Sequence, residues 1–453
     1  MEAVMKQYDV IILGGGPSGI ITGVTGIKQN PGKSFLMLKE ESKGLVPCGI
    51  PYIFGVLGDV SKNIMGPKPF IDAGGEVLVD PATKVDVKNK VVTTLSGATY
   101  GFDKLVFATG SIPAIPTFLP GYDLDGVEYI KKSYTAIDKL KAKTDAAKSV
   151  VVIGGGFIGV EVAEQLAAND SKDVSLIEME KYCLYRAFSE DLAARADSQI
   201  RKTKVKLFTN TRVAEIVGEA GHVTGVKLAD GRTLPADIVI SAIGYKPNTK
   251  LAADAGLMIN ENGAIAIDRY LRTKTPDIFA VGDCSSTEGF ITGDSDNIML
   301  ASTATAEARI LGYNLFSIRL LRDFAGTLSV FSTEVHNHVF ASAGAIEQAA
   351  SAANIEFLVG KFEDVDRHPG TLPGTSSLLV KLIVSPKNGA VIGGEICGGK
   401  SAGELINVIA LAIQKNVTVY ELVCFQVGTH PLLTSAPTKY VLIKAAENAI
   451  AQI

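Results

Sequence analysis

Tryptophan is absent from this 453-residue chain, and only five cysteines are present. Five thiols in so long a chain cannot make the disulfide framework that staples small secreted domains. No sign of charge prevails: 44 basic against 48 acidic side chains leave a formal net charge of −4, so nucleic acid has no electrostatic footprint here. No apolar run approaches the roughly 18 residues needed to cross a bilayer. The opening MEAVMKQYDVIILGGG has no basic segment ahead of an apolar core and no small-residue cleavage site, so it does not read as a secretion signal. Its Val10 to Leu13 run reads as a buried strand. These absences lead to the expectation of a cytoplasmic protein with no membrane span and no nucleic-acid partner. What remains is an ordinary globular composition, 47% apolar, and enough length for about three domains.

The chain repeats itself. YDVIILGGGPSGIITG near the start and KSVVVIGGGFIGVEVAEQLA further on are each a short apolar run, then glycines, then a helix-like stretch. The glycines are Gly14, Gly16 and Gly19 in the first copy and Gly154, Gly156 and Gly159 in the second. In such a loop the first glycine makes a tight turn. The second lets a pyrophosphate approach the backbone, and the third lets the helix pack on the strand. The helix N-terminus adds free amides and the positive end of its dipole. One such loop is weak evidence, because a glycine-rich turn needs no nucleotide. Two in the same strand–loop–helix setting point to two dinucleotide sites.

The second copy also has an acidic partner. DVSLIEMEK reads as the next parallel strand and ends at Glu178, about twenty residues beyond the last glycine of the loop. A carboxylate there accepts hydrogen bonds from an adenosine ribose and repels a 2′-phosphate, which favours NADH over NADPH. A merely solvated strand end is the other reading of Glu178. In the first copy SFLML is followed by Lys39, Glu40 and Glu41. Glu40 is the choice for the ribose contact, although Lys39 occupies the more usual spot.

Three more strand-to-turn segments stand out. KLVFATGSIPAIP reaches a small-residue turn at Ala108, Thr109 and Gly110. DIVISAIGYKPNT reaches Gly244, and TPDIFAVGDCSS ends in Gly282 and Asp283. A helix-like LASTATAEARILGYNL follows. The last third alternates differently: SLLVKLIVSPKNGAVIGGEI reads as a hairpin around Lys387, Asn388 and Gly389, and ELINVIALAIQK as an apolar-faced helix. Between the two glycine loops, GLVPCGIPYIFG carries a lone Cys48, with no second cysteine until Cys183.

The motifs GGGPSG, the ATG turn, GGGFIGVE and FAVGD, in that order, resemble the FAD-dependent pyridine nucleotide–disulfide oxidoreductases over nearly the whole chain. The resemblance implies an α/β fold with two Rossmann-like domains, for FAD and NAD, and a C-terminal α+β domain that pairs a homodimer. The implied ranges are 1–118 with 244–320 for FAD, 119–243 for NAD and 321–453 for the interface domain. Gly14, Gly16, Pro17, Ser18, Gly19, Glu40, Ala108, Thr109, Gly110, Gly282 and Asp283 would bind FAD, with Asp283 on its ribityl chain. Gly154, Gly156, Phe157, Ile158, Gly159, Glu161, Glu178 and Gly244 would bind NADH. Glu161 would hold the nicotinamide amide, and Phe157 would be an aromatic gate over the flavin.

Within that family CGIPY resembles the single-cysteine branch, which includes coenzyme A disulfide reductases, NADH-dependent persulfide reductases, and NADH oxidases and peroxidases. The two-cysteine branch spaces its pair by four residues, and the matching position here is Ile53. Cys48 is thus expected to work between the flavin and a sulfur of a small substrate, forming a mixed disulfide. A helix beginning near Gly49 to Pro51 would aim its positive end at the thiol and lower its pKa. The other reading of Cys48, and the default for Cys183, Cys284, Cys397 and Cys424, is a small buried hydrophobe. His430 resembles the His-Pro of the two-cysteine reductases that serves the partner subunit as acid–base, but the glutamate that orients it is missing. His222, His336, His338 and His368 read as surface or packing residues without metal-ligand spacing.

Two departures narrow the function. Peroxidases and oxidases of the branch carry a histidine in the first loop where this chain has Pro17, which weakens a sulfenic-acid mechanism. Coenzyme A disulfide reductases show Ser-Phe-Ala-Asn before the cysteine, where this chain has Gly44, Leu45, Val46 and Pro47. A persulfide, polysulfide or other small disulfide becomes the expected substrate, with coenzyme A disulfide as a further candidate. An NADH oxidase or peroxidase, or an electron-transfer subunit serving a protein partner, is the alternative.

Overall fold

The computed structural model describes residues 5–293, 298–322 and 326–453. The expected domain ranges run over residues 1–4, 294–297 and 323–325, which lie outside the described residues. The apolar run after Lys6 forms strand β1 (Lys6–Leu13), and the glycine loop turns it into helix α1 (Pro17–Gln29), which starts on a proline. Proline suits that first turn because its missing N–H would be unpaired there anyway. Strand β2 (Phe35–Lys39) is buried at every position, and β3 (Glu76–Val79) and β4 (Thr99–Phe107) complete its surroundings. The order is β3-β2-β1-β4, all parallel, with Ile278–Ala280 also parallel to β4 and an antiparallel hairpin beyond. Parallel neighbours need crossover helices, so both faces are covered and the strands read as continuous apolar runs. The helix expected after FAVGD spans Ala301–Asn314 and packs along α1.

A second parallel sheet repeats the plan. Helix α2 (Tyr134–Ala146) leads into β5 (Ser149–Ile153), helix α3 (Phe157–Ala167), β6 (Asp173–Ile177), β7 (Lys206–Phe208) and β8 (Ile238–Ser241). Val127–Tyr129, β8, β5, β6 and β7 lie side by side in that order. The last third is a five-stranded antiparallel sheet of β9 (Phe331–Val335), β10 (His338–Gly344), β11 (Leu358–Val365), β12 (Ser377–Val384) and β13 (Val391–Gly398), in the order β9-β10-β13-β12-β11. The turn between β12 and β13 holds Gly389 at a φ of 71°, and the expected apolar helix is α4 (Ala402–Gln414). The fold is mixed α/β, with two Rossmann-like parallel sheets and a C-terminal α+β unit. No helix among the described residues is long and apolar enough to cross a membrane.

One hydrophobic cluster ties the three parts together. Leu45, Ile50, Ile53 and Phe54 around the Cys48 turn share it with Val160 and Leu166 of α3 and with Val335 and Phe340 of the third sheet. A buried ion network adds a second joint. Lys381, 2% exposed, donates to Asp191 at 2.7 Å and pairs with Glu347, while the fully buried Glu395 accepts from Ser189 N–H at 2.6 Å. Buried pairs of this kind add little net stability, but removing one partner strands a charge at about 3–5 kcal/mol.

Candidate active site

The two glycine loops are built alike. Gly14 N–H donates to Leu38 O at 2.9 Å, and Gly154 N–H donates to Ile177 O at 2.8 Å. Both first glycines have positive φ, 117° and 106°, where a side chain would be strained. A Cβ on Gly19 would overlap the Gly14 carbonyl, and one on Gly159 the Gly154 carbonyl, so each helix lies directly on its loop. The middle glycines behave differently: a Cβ on Gly16 or Gly156 would meet nothing within 4 Å. Each faces space at a helix start that has no side-chain cap. These are two concave amide nests, fit for a pyrophosphate.

The turns after the strands close on the first nest. Ala108 N–H donates to Leu13 O at 2.9 Å, and Thr109 Oγ1 donates to Asn248 O at 2.6 Å. Gly110 accepts from Asn248 N–H at 2.9 Å, and Gly244 accepts from Ala114 N–H at 2.9 Å, which places Gly244 where the two parallel units join. Ser18, buried at the start of α1, lies against Gly282; a Cβ on that glycine would be 2.8 Å from the Ser18 hydroxyl. Asp283 follows, and one of its oxygens accepts from Ser111 Oγ at 2.7 Å and Lys132 Nζ at 2.6 Å.

Cys48 sits inside a 3-10 turn, Pro47–Gly49, followed by a second at Pro51–Phe54. Asn63 holds the first turn by exchanging hydrogen bonds with Val46, its N–H-bearing side chain donating to Val46 O at 2.9 Å. A Cβ on Gly49 would overlap that same Asn63 side chain, so the residue after the cysteine must be small. The second turn packs on α3, where Gln165 accepts from Val56 N–H at 3.0 Å. Cys48 is exposed. Its thiol pKa is pushed up by the protein packed around it, then by Glu161 and Asp283, with Lys132 opposing. This differs from the expected thiolate-favouring helix: the structure forms two short 3-10 turns, and their few aligned peptides give little dipole.

Glu161, on α3, acts on the cysteine through its charge. Its Oε1 accepts from Thr333 Oγ1 at 2.8 Å, and burial, reinforced by nearby Glu164, raises its pKa to about 7. Glu161, Glu334 and Glu164 also raise the Tyr52 hydroxyl, to about 12, after burial as the first cause. Phe157, first residue of α3, meets Phe331 edge-on with ring centres 4.8 Å apart and Phe188 at 6.3 Å. Ile158 packs beside it on the same cluster. At the end of β6, Glu178 accepts from Gly155 N–H at 2.6 Å and Glu180 N–H at 2.7 Å. In the first unit Leu13 pairs with Leu38, as Ile153 pairs with Ile177 in the second. The residue matching Glu178 is therefore Lys39, and Glu40, the ribose contact expected from the sequence, lies one step beyond and is exposed.

Residues 8–308 match the family model of the pyridine nucleotide-disulphide oxidoreductases, and residues 331–441 match the dimerisation domain of the same family. The chain belongs to the pyridine nucleotide-disulphide oxidoreductase family. Enzymes of this family use FAD and NAD(P)H. As an oxidoreductase of this kind, the chain is 28% identical over 449 residues to an NADH oxidase of Lactococcus lactis, covering 96% of this chain and 99% of that one. It is 28% identical over 399 residues to the NAD(P)H coenzyme A polysulfide/persulfide reductase of Pyrococcus horikoshii, covering 86% and 87%. Its fold matches the NAD-dependent persulfide reductase of A. fulgidus with a TM-score of 0.89 and 29% identity, over 98% of this chain and 83% of that one.

Cys48, Glu161 and Asp283 come from three distant segments, and the two carboxylates act on the thiol through their charge. Among the described residues His430 bonds locally: its Nδ1 accepts from Leu432 N–H at 3.2 Å, and its N–H donates to Thr434 Oγ1 at 3.0 Å. Cys424 is exposed, whereas Cys183, Cys284 and Cys397 are buried. Sequence reasoning missed Lys132, Ser111, Thr333 and Asn63. No motif marks them, since Lys132 meets Asp283 across 151 positions and Thr333 meets Glu161 across 172.

Proposed function

We propose that this oxidoreductase uses NADH to reduce the sulfur–sulfur bond of a small substrate, a persulfide, polysulfide or low-molecular-weight disulfide, through Cys48. The observation that carries this reading is an exposed cysteine, in a turn held by Asn63, under the charge of Asp283 beside the first nest and of Glu161 beside the second. The Gly14–Gly19 loop, Ala108–Gly110 and Gly282–Asp283 hold FAD. The Gly154–Gly159 loop, Phe157, Ile158, Glu161 and Gly244 hold NADH, with Glu178 turning away the 2′-phosphate of NADPH. Bound FAD supplies the electron pair, drawn from NADH, that reopens a disulfide on Cys48. The chain's own part is to expose the Cys48 sulfur to attack on the substrate sulfur. A Cys48–substrate disulfide forms and the second sulfur leaves with a proton. Glu161, with its pKa near neutrality, can hold or give a proton at physiological pH. His430 of a partner subunit is the other proton donor considered, in a homodimer paired through residues 321–453.

Asp283 and Lys132 pair with each other at 2.6 Å and so largely offset beside the cysteine, and Glu161, with its pKa raised to about 7, is only partly ionised near neutrality. What weighs against coenzyme A disulfide is the stretch Gly44 to Pro47 ahead of Cys48, which departs from the Ser-Phe-Ala-Asn of the coenzyme A disulfide reductases. The likeness to an NADH oxidase favours a second reading, in which peroxide or oxygen oxidises Cys48 to a sulfenic acid. Pro17, where that branch carries a histidine, weighs against it. Use of a protein electron acceptor is the remaining alternative. The test is anaerobic reduction of the purified protein with NADH, followed by reoxidation with disulfides, persulfides, peroxide and oxygen in turn. Fast reoxidation by peroxide or oxygen alone overturns the proposal.

A further inference from the structure

The two nests carry opposite charges at matching places. In the second, the strand end is the Glu178 carboxylate, hydrogen-bonded to Gly155 N–H. In the first, the same register position is Lys39, only 6% exposed. Its side-chain stem lies across the loop: Cδ and Cε would be 3.2 and 3.3 Å from a Cβ on Gly15. An ammonium cannot accept the loop N–H that Glu178 accepts, so the first nest has no copy of that arrangement.

Lys39 is also poorly supplied with partners of its own. Nζ donates to Ser42 O at a long 3.3 Å. The acidic neighbour on the chain, Glu40, is exposed. Glu41 acts on Lys39 through its charge but makes no hydrogen bond to it; its oxygens accept from Ser133 Oγ and Tyr134 N–H, both at 2.7 Å, at the start of α2. A buried ammonium has three donors and costs free energy unless they are used. A donor buried against a phosphate-binding loop, with one long bond, points to a ligand oxygen as the missing partner.

We infer that Lys39 binds the adenosine ribose of the dinucleotide in the first nest as a hydrogen-bond donor, and that this pocket prefers an anion where the second repels one. The inference rests on the proposed placing of FAD in the first nest. A carboxylate at a strand end reads the ribose diol by accepting from it; replacing it by a cation is the change that admits a phosphate on the same ribose. The first nest of this chain has that cation.

The test uses the full-length protein stripped of flavin, with FAD rebinding followed by flavin fluorescence at fixed ionic strength. Adenosine 5′-monophosphate and adenosine 2′,5′-bisphosphate then compete for the site. In the unaltered protein the bisphosphate should displace FAD at a concentration about tenfold lower, the scale of one charge-assisted hydrogen bond. Lys39→Met should erase that preference and weaken FAD about tenfold, Lys39→Arg should keep both, and Lys39→Glu should reverse the preference. Melting temperatures of the flavin-free variants close to the parent's separate ligand loss from misfolding. Equal displacement by the two nucleotides, or a preference retained in Lys39→Glu, overturns the assignment while FAD placement stands. Failure of the parent protein to bind FAD overturns both.

Discussion

Lys132 Nζ lies 2.6 Å from Asp283 Oδ2, so a cation just ahead of α2 is clamped to an acid that closes the first nest. Both side chains are largely buried, at 27% and 14% exposure, and Lys132 is the cation that opposes the upward shift of the Cys48 thiol. Lys132→Met should therefore raise that pKa further. Alkylation of Cys48 by iodoacetamide at pH 8, followed in flavin-free protein, should slow several-fold, because only thiolate reacts. An unchanged rate would show that Lys132 does not act on the sulfur. The stranded Asp283 should also cost about 1–3 kcal/mol in denaturant unfolding.

Cys48→Ser should lower turnover of disulfide or persulfide by about a thousandfold or more, since a serine hydroxyl is a weak nucleophile without a paired base. Reduction of the bound flavin by NADH should persist in stopped-flow absorbance. Retained sulfur reduction in the variant would remove Cys48 from the chemistry.

Glu161 gives a pH signature. Its folded pKa near 7 lies above the ordinary 4.5, so the folded state holds the proton more tightly than the unfolded one. Its contribution to stability is full below about pH 4.5 and is lost as pH rises through 7. Glu161→Gln, which imitates the protonated form, should match the parent near pH 4.5 and exceed it at pH 8 by up to about 3 kcal/mol. Equal melting temperatures at both pH values would contradict the raised pKa.

Coenzyme preference should follow Glu178. Glu178→Arg removes a carboxylate and adds a partner for the 2′-phosphate. The ratio of kcat/KM for NADPH over NADH should rise about a hundredfold, since like-charge contact costs several kcal/mol. A ratio that stays put would make Glu178 a structural acceptor for the loop amides and nothing more.

The glycines should divide by position. Gly19→Ala forces a Cβ into the Gly14 carbonyl and should destabilise the fold, by about 1–3 kcal/mol for an overpacked site. Gly16→Ala meets no protein atom within 4 Å. It should melt like the parent and lose FAD affinity only, while Gly156→Ala loses NADH affinity only. Equilibrium binding beside thermal melting separates the cases.

Much of this was legible in the residues. The repeat of apolar run, glycine loop and helix announces two parallel sheets, because period and turn chemistry are local properties. Helices Ala301–Asn314 and Ala402–Gln414 fall where their patterns place them. The Cys48 turn departs from its local pattern: a proline after the cysteine reads as a helix start, but the chain, packed on α3 and held by the Asn63 bonds, forms two 3-10 turns. Charge alone points to Glu40, while strand register, a property of pairing, assigns the strand end to Lys39.

By itself the sequence determined that two nucleotide nests exist, that one cysteine stands alone between them, and which acid follows the second nest. Spacing along one segment suffices for each of those. Tertiary structure alone decided that the charges of Glu161, Asp283 and Lys132 act on the sulfur, that the thiol is pushed toward its protonated form, and that the first strand ends in a buried cation. Those depend on distances between segments more than a hundred positions apart and on how much water the packing removes, neither of which a linear pattern encodes.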